Sequence, residues 1–193
     1  MDTKSILIVG VGGQGTLLAS KVLGSLFMDL GYDVKISEVH GMAQRGGSVV
    51  THVRYGTKVF SPLVEPGTAD ILLAFEKMEA LRWIHFLKEE GRAVINLQEI
   101  EPMPVIMGTY EYPKDLEGRI REVCPNVIFF DALAVARELG NIKVTNMALI
   151  GVLAKVLGIG SEAWEKAIKM VVPPKTAEVN LKAFYAGYNS SSL

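Results

Sequence analysis

The chain has 193 residues, 49 % of them apolar and 21 % charged, with a formal net charge of −1. That length suits one domain over 1–193, burying roughly 70 % of the surface its unfolded chain exposes. Lysines and arginines are scattered and form no basic stripe interleaved with aromatics, which argues against a nucleic-acid partner. A single cysteine, Cys124, excludes an internal disulfide and cannot alone ligate an iron–sulfur cluster or a structural zinc.

Lys4 ahead of an apolar run imitates a short signal peptide. The run passes straight into a glycine turn with no Ala-x-Ala-like cleavage site, so it reads as a buried first strand. The longest apolar stretch, 147–154, is too short to span a bilayer. A cytoplasmic protein without membrane contact is therefore expected. The mean hydropathy of +0.27 is high for this size. A partner interface would raise it, as would a parallel sheet buried on both faces.

In chain order, 5–10 reads as a strand and 14–30 as a helix with Leu18, Val22, Leu26 and Leu30 on one apolar face. Gly31 ends that helix, and 33–39 reads as a second, parallel strand. A glycine-rich segment, 40–47, stands where the next helix would be. After it, a strand at 48–54, a turn at 55–58 and a short returning strand from Val59 and Phe60 form a hairpin insertion. The α/β rhythm then resumes, with a strand at 69–75 carrying Asp70 at its mouth, a helix at 76–89 and a strand at 92–96.

The proline- and methionine-rich stretch 98–108 reads as a surface loop. A short strand at 109–112, a helix from Pro113 and a strand at 127–130 follow. Asp131, Thr145 and Ser161 each suit the cap of a helix, ending at Gly140, at Gly158 and before Val172-Pro173-Pro174. Leu181, Phe184, Tyr185 and Tyr188 form an apolar stripe on a last helix that packs on the domain's own core, and 189–193 is expected to fray. The resulting fold class is a Rossmann-like, three-layer α/β domain with a mostly parallel sheet, a β-hairpin insertion and a helical C-terminus.

Gly10-Val11-Gly12-Gly13-Gln14-Gly15, between the first strand and first helix, is the most telling stretch. Glycines there permit a tight turn, close approach of a phosphate, and packing of helix on strand. The same pattern serves domains that use glycine only for packing, so ligand and packing readings both stand. Glu38, ending the second strand, suits a ribose hydroxyl and raises the possibility of a nicotinamide-dependent dehydrogenase. The chain is too short for a dinucleotide domain plus a substrate domain, and the hairpin replaces a crossover helix. In 38–48, EVHGMAQRGGS, paired glycines free backbone amides beside Arg45, whose planar fork suits phosphate or carboxylate. His40 and Gln44 add polar groups. His52 and His85 lack a second metal ligand at suitable spacing and read as structural.

Together, the glycine turn, the 38–48 segment, ADILLAFE over 69–76, TNMALIG over 145–151 and EVNLKAFYAG over 178–187 resemble the gamma-type domain of 2-oxoacid:ferredoxin oxidoreductases. The likeness runs in order along nearly the whole chain. Gln44-Arg45-Gly46-Gly47 with His40 is most similar to the branch acting on arylpyruvates such as indolepyruvate, phenylpyruvate and 4-hydroxyphenylpyruvate. Pyruvate or 2-oxoglutarate as substrate, or a stand-alone nucleotide-binding module, are the alternatives.

The resemblance implies a subunit of an enzyme that cleaves a 2-oxoacid oxidatively with coenzyme A, giving an acyl-CoA, carbon dioxide and reduced ferredoxin. It implies that thiamine diphosphate and 4Fe-4S clusters sit on a larger alpha subunit, because this chain has neither a Gly-Asp-Gly thiamine signature nor a cysteine cluster. Ferredoxin would accept electrons from the complex. No catalytic residue is carried alone and no metal is bound here. The candidate contacts to coenzyme A are Gly10, Gly12, Gly13, Gln14, Gly15, Thr16, His40, Gln44, Arg45, Gly46, Gly47 and Ser48. The Arg45 loop either faces the active site or stitches the subunit interface. Asn146 and Asn180 fall in the shared motifs and are expected to have structural roles.

Overall fold

A computed structural model describes residues 3–41 and 46–190. Its element order is β1 (Lys4–Val11), α1 (Thr16–Asp29), β2 (Asp33–His40), β3 (Ser48–Gly56), β4 (Ala69–Ala74), α2 (Lys77–Trp83) and β5 (Leu87–Asn96). Then follow α3 (Met103–Ile106), α4 (Leu116–Val123), β6 (Val127–Phe130), α5 (Ala132–Glu138), α6 (Thr145–Leu157), α7 (Ser161–Val171) and α8 (Ala177–Tyr188). Six strands form one sheet in the order β2-β3-β1-β4-β5-β6. The β1–β4, β4–β5 and β5–β6 pairs are parallel, whereas β3 runs antiparallel to both its neighbours. The expected three-layer, mostly parallel Rossmann-like architecture is what forms.

Strand alternation divides the core. Ile6 and Ile8 of β1 face a layer of α1, α5, α6, α7 and α8, while Leu7 and Val9 face α2 and α4. All four are fully buried, which explains why this strand reads as a continuous apolar run. The apolar face of α1 is carried by Ala19, Val22, Leu23, Leu26 and Phe27, whereas Leu30 is exposed, which shifts the stripe from the expected one. Gly31 ends α1 in the left-handed region (φ 84°), with the Tyr32 amide donating to the Phe27 carbonyl.

The hairpin is not the expected one. β2 pairs along its length with β3, so β3 separates β2 from β1. A parallel return needs a crossover of a dozen or more residues, and the connection 41–47 is too short for one. The second strand is parallel to β1 in direction but does not touch it. No returning strand forms at 59–60. The Val59 amide instead donates to Asp33 Oδ2 (2.8 Å), and Arg54 Nη1 donates to the carbonyls of Ser61 and Leu63.

Nor does 76–89 make one helix. α2 stops at Trp83, a 3-10 turn spans Ile84–Phe86, and Leu87 already pairs with Ala69. The ladder then breaks and resumes at Arg92 with Ile71, a bulge between the two pairings. Asp70 pins that end of the sheet, accepting from Lys88 Nζ (2.6 Å), Lys4 Nζ (3.1 Å) and the Ser5 amide (2.8 Å). Burial opposes its ionisation, but these donors hold its carboxyl below the usual carboxylate range.

No strand forms at 109–112, and α3 sits inside the expected loop. The helix expected from Pro113 is α4, starting after an Asp115 cap. Asp131 caps α5 as expected, accepting from the Ala134 amide. Thr145 and Ser161 are instead the first helical residues, and the cap positions fall on Val144 and Gly160. Residues 191–193 of the tail expected to fray lie outside the described residues.

The last helix packs on the chain's own core, with Phe184 fully buried. α8 and α6 touch backbone to backbone. A Cβ on Gly187 would lie 1.9 Å from the Ala148 carbonyl oxygen, and one on Gly151 2.0 Å from that of Phe184. Overpacking costs about 1–3 kcal/mol or more where backbone cannot yield. Gly151→Ala should therefore lower the melting temperature sharply, whereas Gly160→Ala, with open space and φ −56°, should change it far less. Thermal denaturation of the two variants checks this.

Candidate functional site

The glycine turn lies at the carboxyl end of β1, the central position where a parallel α/β sheet offers its ligand crevice. Gln14 organises it. Its Oε1 accepts from the Val11 amide (2.8 Å), and its Nε2 donates to the Phe75 carbonyl (2.9 Å) and Gln98 Oε1 (3.0 Å). Asn96, fully buried at the end of β5, donates to the same Phe75 carbonyl and accepts from the Ala132 amide. On the other side, the Gly12 amide donates to the Gly47 carbonyl (2.8 Å) and the Gly46 amide to that of Gly12 (3.1 Å). The turn is thus joined to three other parts of the chain.

The glycines serve different ends. A Cβ on Gly10 would meet Gln14 Oε1 at 2.9 Å and Phe75 Cβ at 3.0 Å, so that position is a packing requirement. Gly15 is left-handed (φ 86°), and a Cβ there would lie 2.6 Å from Asn146 Nδ2, which donates to the Gly15 carbonyl (3.3 Å). Gly13, also at positive φ (107°), faces open space. Among the described residues, the amides of Gly13, Gly15 and Thr16 meet no acceptor. Those amides and the positive end of α1, which has no side-chain cap, make a place for an anion.

Two clefts flank the turn. One, of about 450 Å³, runs past Thr16 and Leu17 to Glu38 and His40. The other, of about 410 Å³, is bounded by Gln98, Ile100, Leu133, Ile142, Lys143 and Thr145. Their charges differ. Glu38, whose Oε2 accepts from Thr51 Oγ1 (3.3 Å), places a carboxylate in the first, and Lys143 a cation in the second.

Of the expected contacts, Gly12, Gly13 and Gly15 line both clefts, Thr16 and His40 the first, and Gln14 and Gly46 the second. Gly47 is spent on the turn itself, and His40 Nδ1 lies 3.1 Å from the Gly41 carbonyl oxygen. Ser48 lies against α2, donating to Glu79 Oε2 and lying 3.4 Å from Trp83 Nε1. Gln44 and Arg45 are outside the described residues. Asn146 and Asn180 both bond to backbone, the latter donating to the Thr176 carbonyl (2.8 Å).

Glu76, Asn96 and Gln98 have no role in the sequence reading, yet they build the floor beside the turn. Glu76 is fully buried at the N-cap of α2, accepting from the amides of Glu79 (2.8 Å) and Ile100 (3.3 Å) and from the Tyr112 hydroxyl. Burial pushes its carboxyl above the usual range despite those donors. A carboxylate directly after an apolar strand and before a helix was its one sequence signal. Cys124 is buried, which pushes its thiol up, away from the reactive thiolate. Among the described residues, no three His, Cys, Asp or Glu side chains are grouped to hold a metal ion. Among the described residues, what the site offers a ligand is backbone amides rather than an activated nucleophile.

Fold and site together define a Rossmann-like domain with a glycine turn open to clefts on both sides. The family model described as pyruvate ferredoxin/flavodoxin oxidoreductase matches residues 5–190, and the chain belongs to that family. It is 41 % identical to the indolepyruvate oxidoreductase subunit IorB of Thermococcus kodakarensis, over 99 % of this chain and 97 % of that one. It is 34 % identical to the 2-oxoglutarate synthase subunit KorC of Methanothermobacter marburgensis, over 95 % and 94 %. Its fold matches that of the pyruvate oxidoreductase subunit PORC of Thermotoga maritima, with a TM-score of 0.74 at 21 % identity over 98 % and 97 % of the chains.

Gln14→Ala should accelerate hydrogen exchange at the Val11 amide and cost about 1–3 kcal/mol, because it leaves buried partners unpaired. Exchange mass spectrometry and denaturant titration measure both. His52 gives a pH prediction. Its Nδ1 accepts from the Val64 amide (3.1 Å), and burial lowers its pKa from 6.5. A lowered folded pKa means that the stabilisation is whole above pH 6.5 and is lost as pH falls below it. The stability difference between wild type and His52→Gln, followed by urea titration from pH 7.5 to about 5, should shrink toward acid.

Proposed function

We propose that the chain is the smaller subunit of an arylpyruvate:ferredoxin oxidoreductase with indolepyruvate as its preferred type of substrate. The observation that carries this is the 41 % identity to an indolepyruvate oxidoreductase subunit across both full lengths, against 34 % to a 2-oxoglutarate synthase subunit. The complex would convert an aryl 2-oxoacid, coenzyme A and oxidised ferredoxin to an arylacetyl-CoA, carbon dioxide and reduced ferredoxin. The residues of this chain do not fit an iron–sulfur cluster, since it has one cysteine and that is buried. Clusters and thiamine diphosphate therefore belong to a larger alpha subunit. An unpaired cysteine also suits a reducing, cytoplasmic compartment.

This chain's part is to bind and orient coenzyme A. The free amides of Gly13 and Gly15 donate to a phosphate, and Lys143 provides a cation in the cleft that holds no carboxylate. The cleft containing Glu38 repels the same ligand. Arg45, next in sequence to Gly46, is assigned to contact with substrate or phosphate, a role that the variant below tests.

The test is anaerobic co-expression with the alpha subunit and dye reduction with indolepyruvate, pyruvate and 2-oxoglutarate. Preference for indolepyruvate is expected, and preference for either other acid would overturn the substrate assignment. Lys143→Ala should raise the KM for coenzyme A while leaving that for the oxoacid little changed. Arg45→Ala should assemble normally and turn over slowly; normal turnover would remove Arg45 from the active site.

A further inference from the structure

The segment from Ile100 to Tyr112 leaves and rejoins the body of the protein at one buried atom. Glu76 Oε1 accepts from the Ile100 amide (3.3 Å) at one end and from the Tyr112 hydroxyl at the other. Between them the loop closes on itself, with the Met107 amide donating to the Met103 carbonyl and the amides of Thr109 and Tyr110 to that of Pro104. A compact, necked loop should carry its hydrophobic residues inward. This one does the reverse. Met103 (65 %), Ile106 (61 %), Met107 (72 %) and Tyr110 (69 %) all stand exposed at its tip.

Four large apolar side chains held out within eight residues are characteristic of a surface that another protein covers. Exposed Glu101 and Glu111 flank the tip and meet no cation among the described residues, unlike Glu99, which pairs with Lys77 (2.7 Å). Two copies of this chain meeting tip to tip would set these like charges against each other, which disfavours self-association. The loop is also continuous with the candidate site. Ile100 lines the Lys143 cleft, and the preceding Gln98 bonds to Gln14.

We propose that the 100–112 loop is the knob by which the chain docks on its larger subunit, its apolar tip seated in an apolar socket with a basic rim that meets Glu101 and Glu111. This rests on the subunit reading above. Glu76 and Tyr112 act as positioning residues, holding the knob rigid so that little ordering cost is met on binding. A partner seated there also closes the cleft beside the glycine turn.

The experiment measures binding of the full chain to the purified larger subunit by interferometry. The double variant Ile106→Glu with Met107→Glu should raise Kd at least roughly tenfold, as truncation of an apolar anchor does. Met170→Glu, equally exposed (68 %) but on α7, should leave Kd unchanged. Glu101→Lys with Glu111→Lys should slow association, with the difference erased by high salt. Tyr112→Phe should weaken binding without altering the tip. If the double variant keeps its wild-type melting temperature and its Kd, the knob is not the docking element. If the wild-type chain does not bind the larger subunit at all, the subunit reading falls, and the docking proposal with it.

Discussion

One side-chain amide, that of Gln14, joins the ends of three parallel strands. It gives the last amide of β1 an acceptor, the carbonyl after β4 a donor, and the side-chain oxygen of Gln98 after β5 a donor. Each of these groups would be costly to leave unpaired at the partly buried end of a sheet. With the Gly12 contacts to Gly46 and Gly47, this bond set holds the turn so that Gly13, Gly15 and Thr16 keep their amides free. A preorganised binding turn depends on such saturation around it.

Charge is distributed to match. The strongest anchoring of a carboxylate, Asp70 by Lys4 and Lys88, lies at the opposite end of β4 from the glycine turn and holds the sheet together there. Near the turn, Glu38 and Lys143 sit in separate clefts, giving its two sides opposite preferences for an anionic ligand. On the proposed function the chain contributes shape, amides and one cation, and the chemistry of carbon–carbon cleavage falls to its partner.

Much of this was readable in the residues. The run before Gly10 is apolar at consecutive positions because both its faces are buried, and Asp131 announces α5 because a carboxylate there reaches an unpaired amide. The strand order was not readable. Residues 48–54 alternate as a strand whichever neighbour they pair with, and only the length of the 41–47 connection pointed to antiparallel return beside β2. The stretch 76–89 has helical composition throughout, yet Leu87 pairs with Ala69 and Lys88 bonds to Asp70, contacts that no local pattern announces. Ser48 looked like a ligand donor and is bound to Glu79, 31 residues away. Local pattern carries no information about such a partner.

The sequence by itself determined the class of domain, the position of the glycine turn, the lack of a thiolate cluster and the family. Each rests on residues within one short window or on a count: glycine spacing between strand and helix, one cysteine, motifs in order. Tertiary structure alone decided which glycines pack and which face open space. It also decided that Gln14, Asn96 and Gln98 form one network, and that Glu76 ties both ends of an apolar loop. These are meetings of side chains and amides far apart along the chain. Their energies come from mutual satisfaction in a desolvated place, which exists only once the sheet has formed.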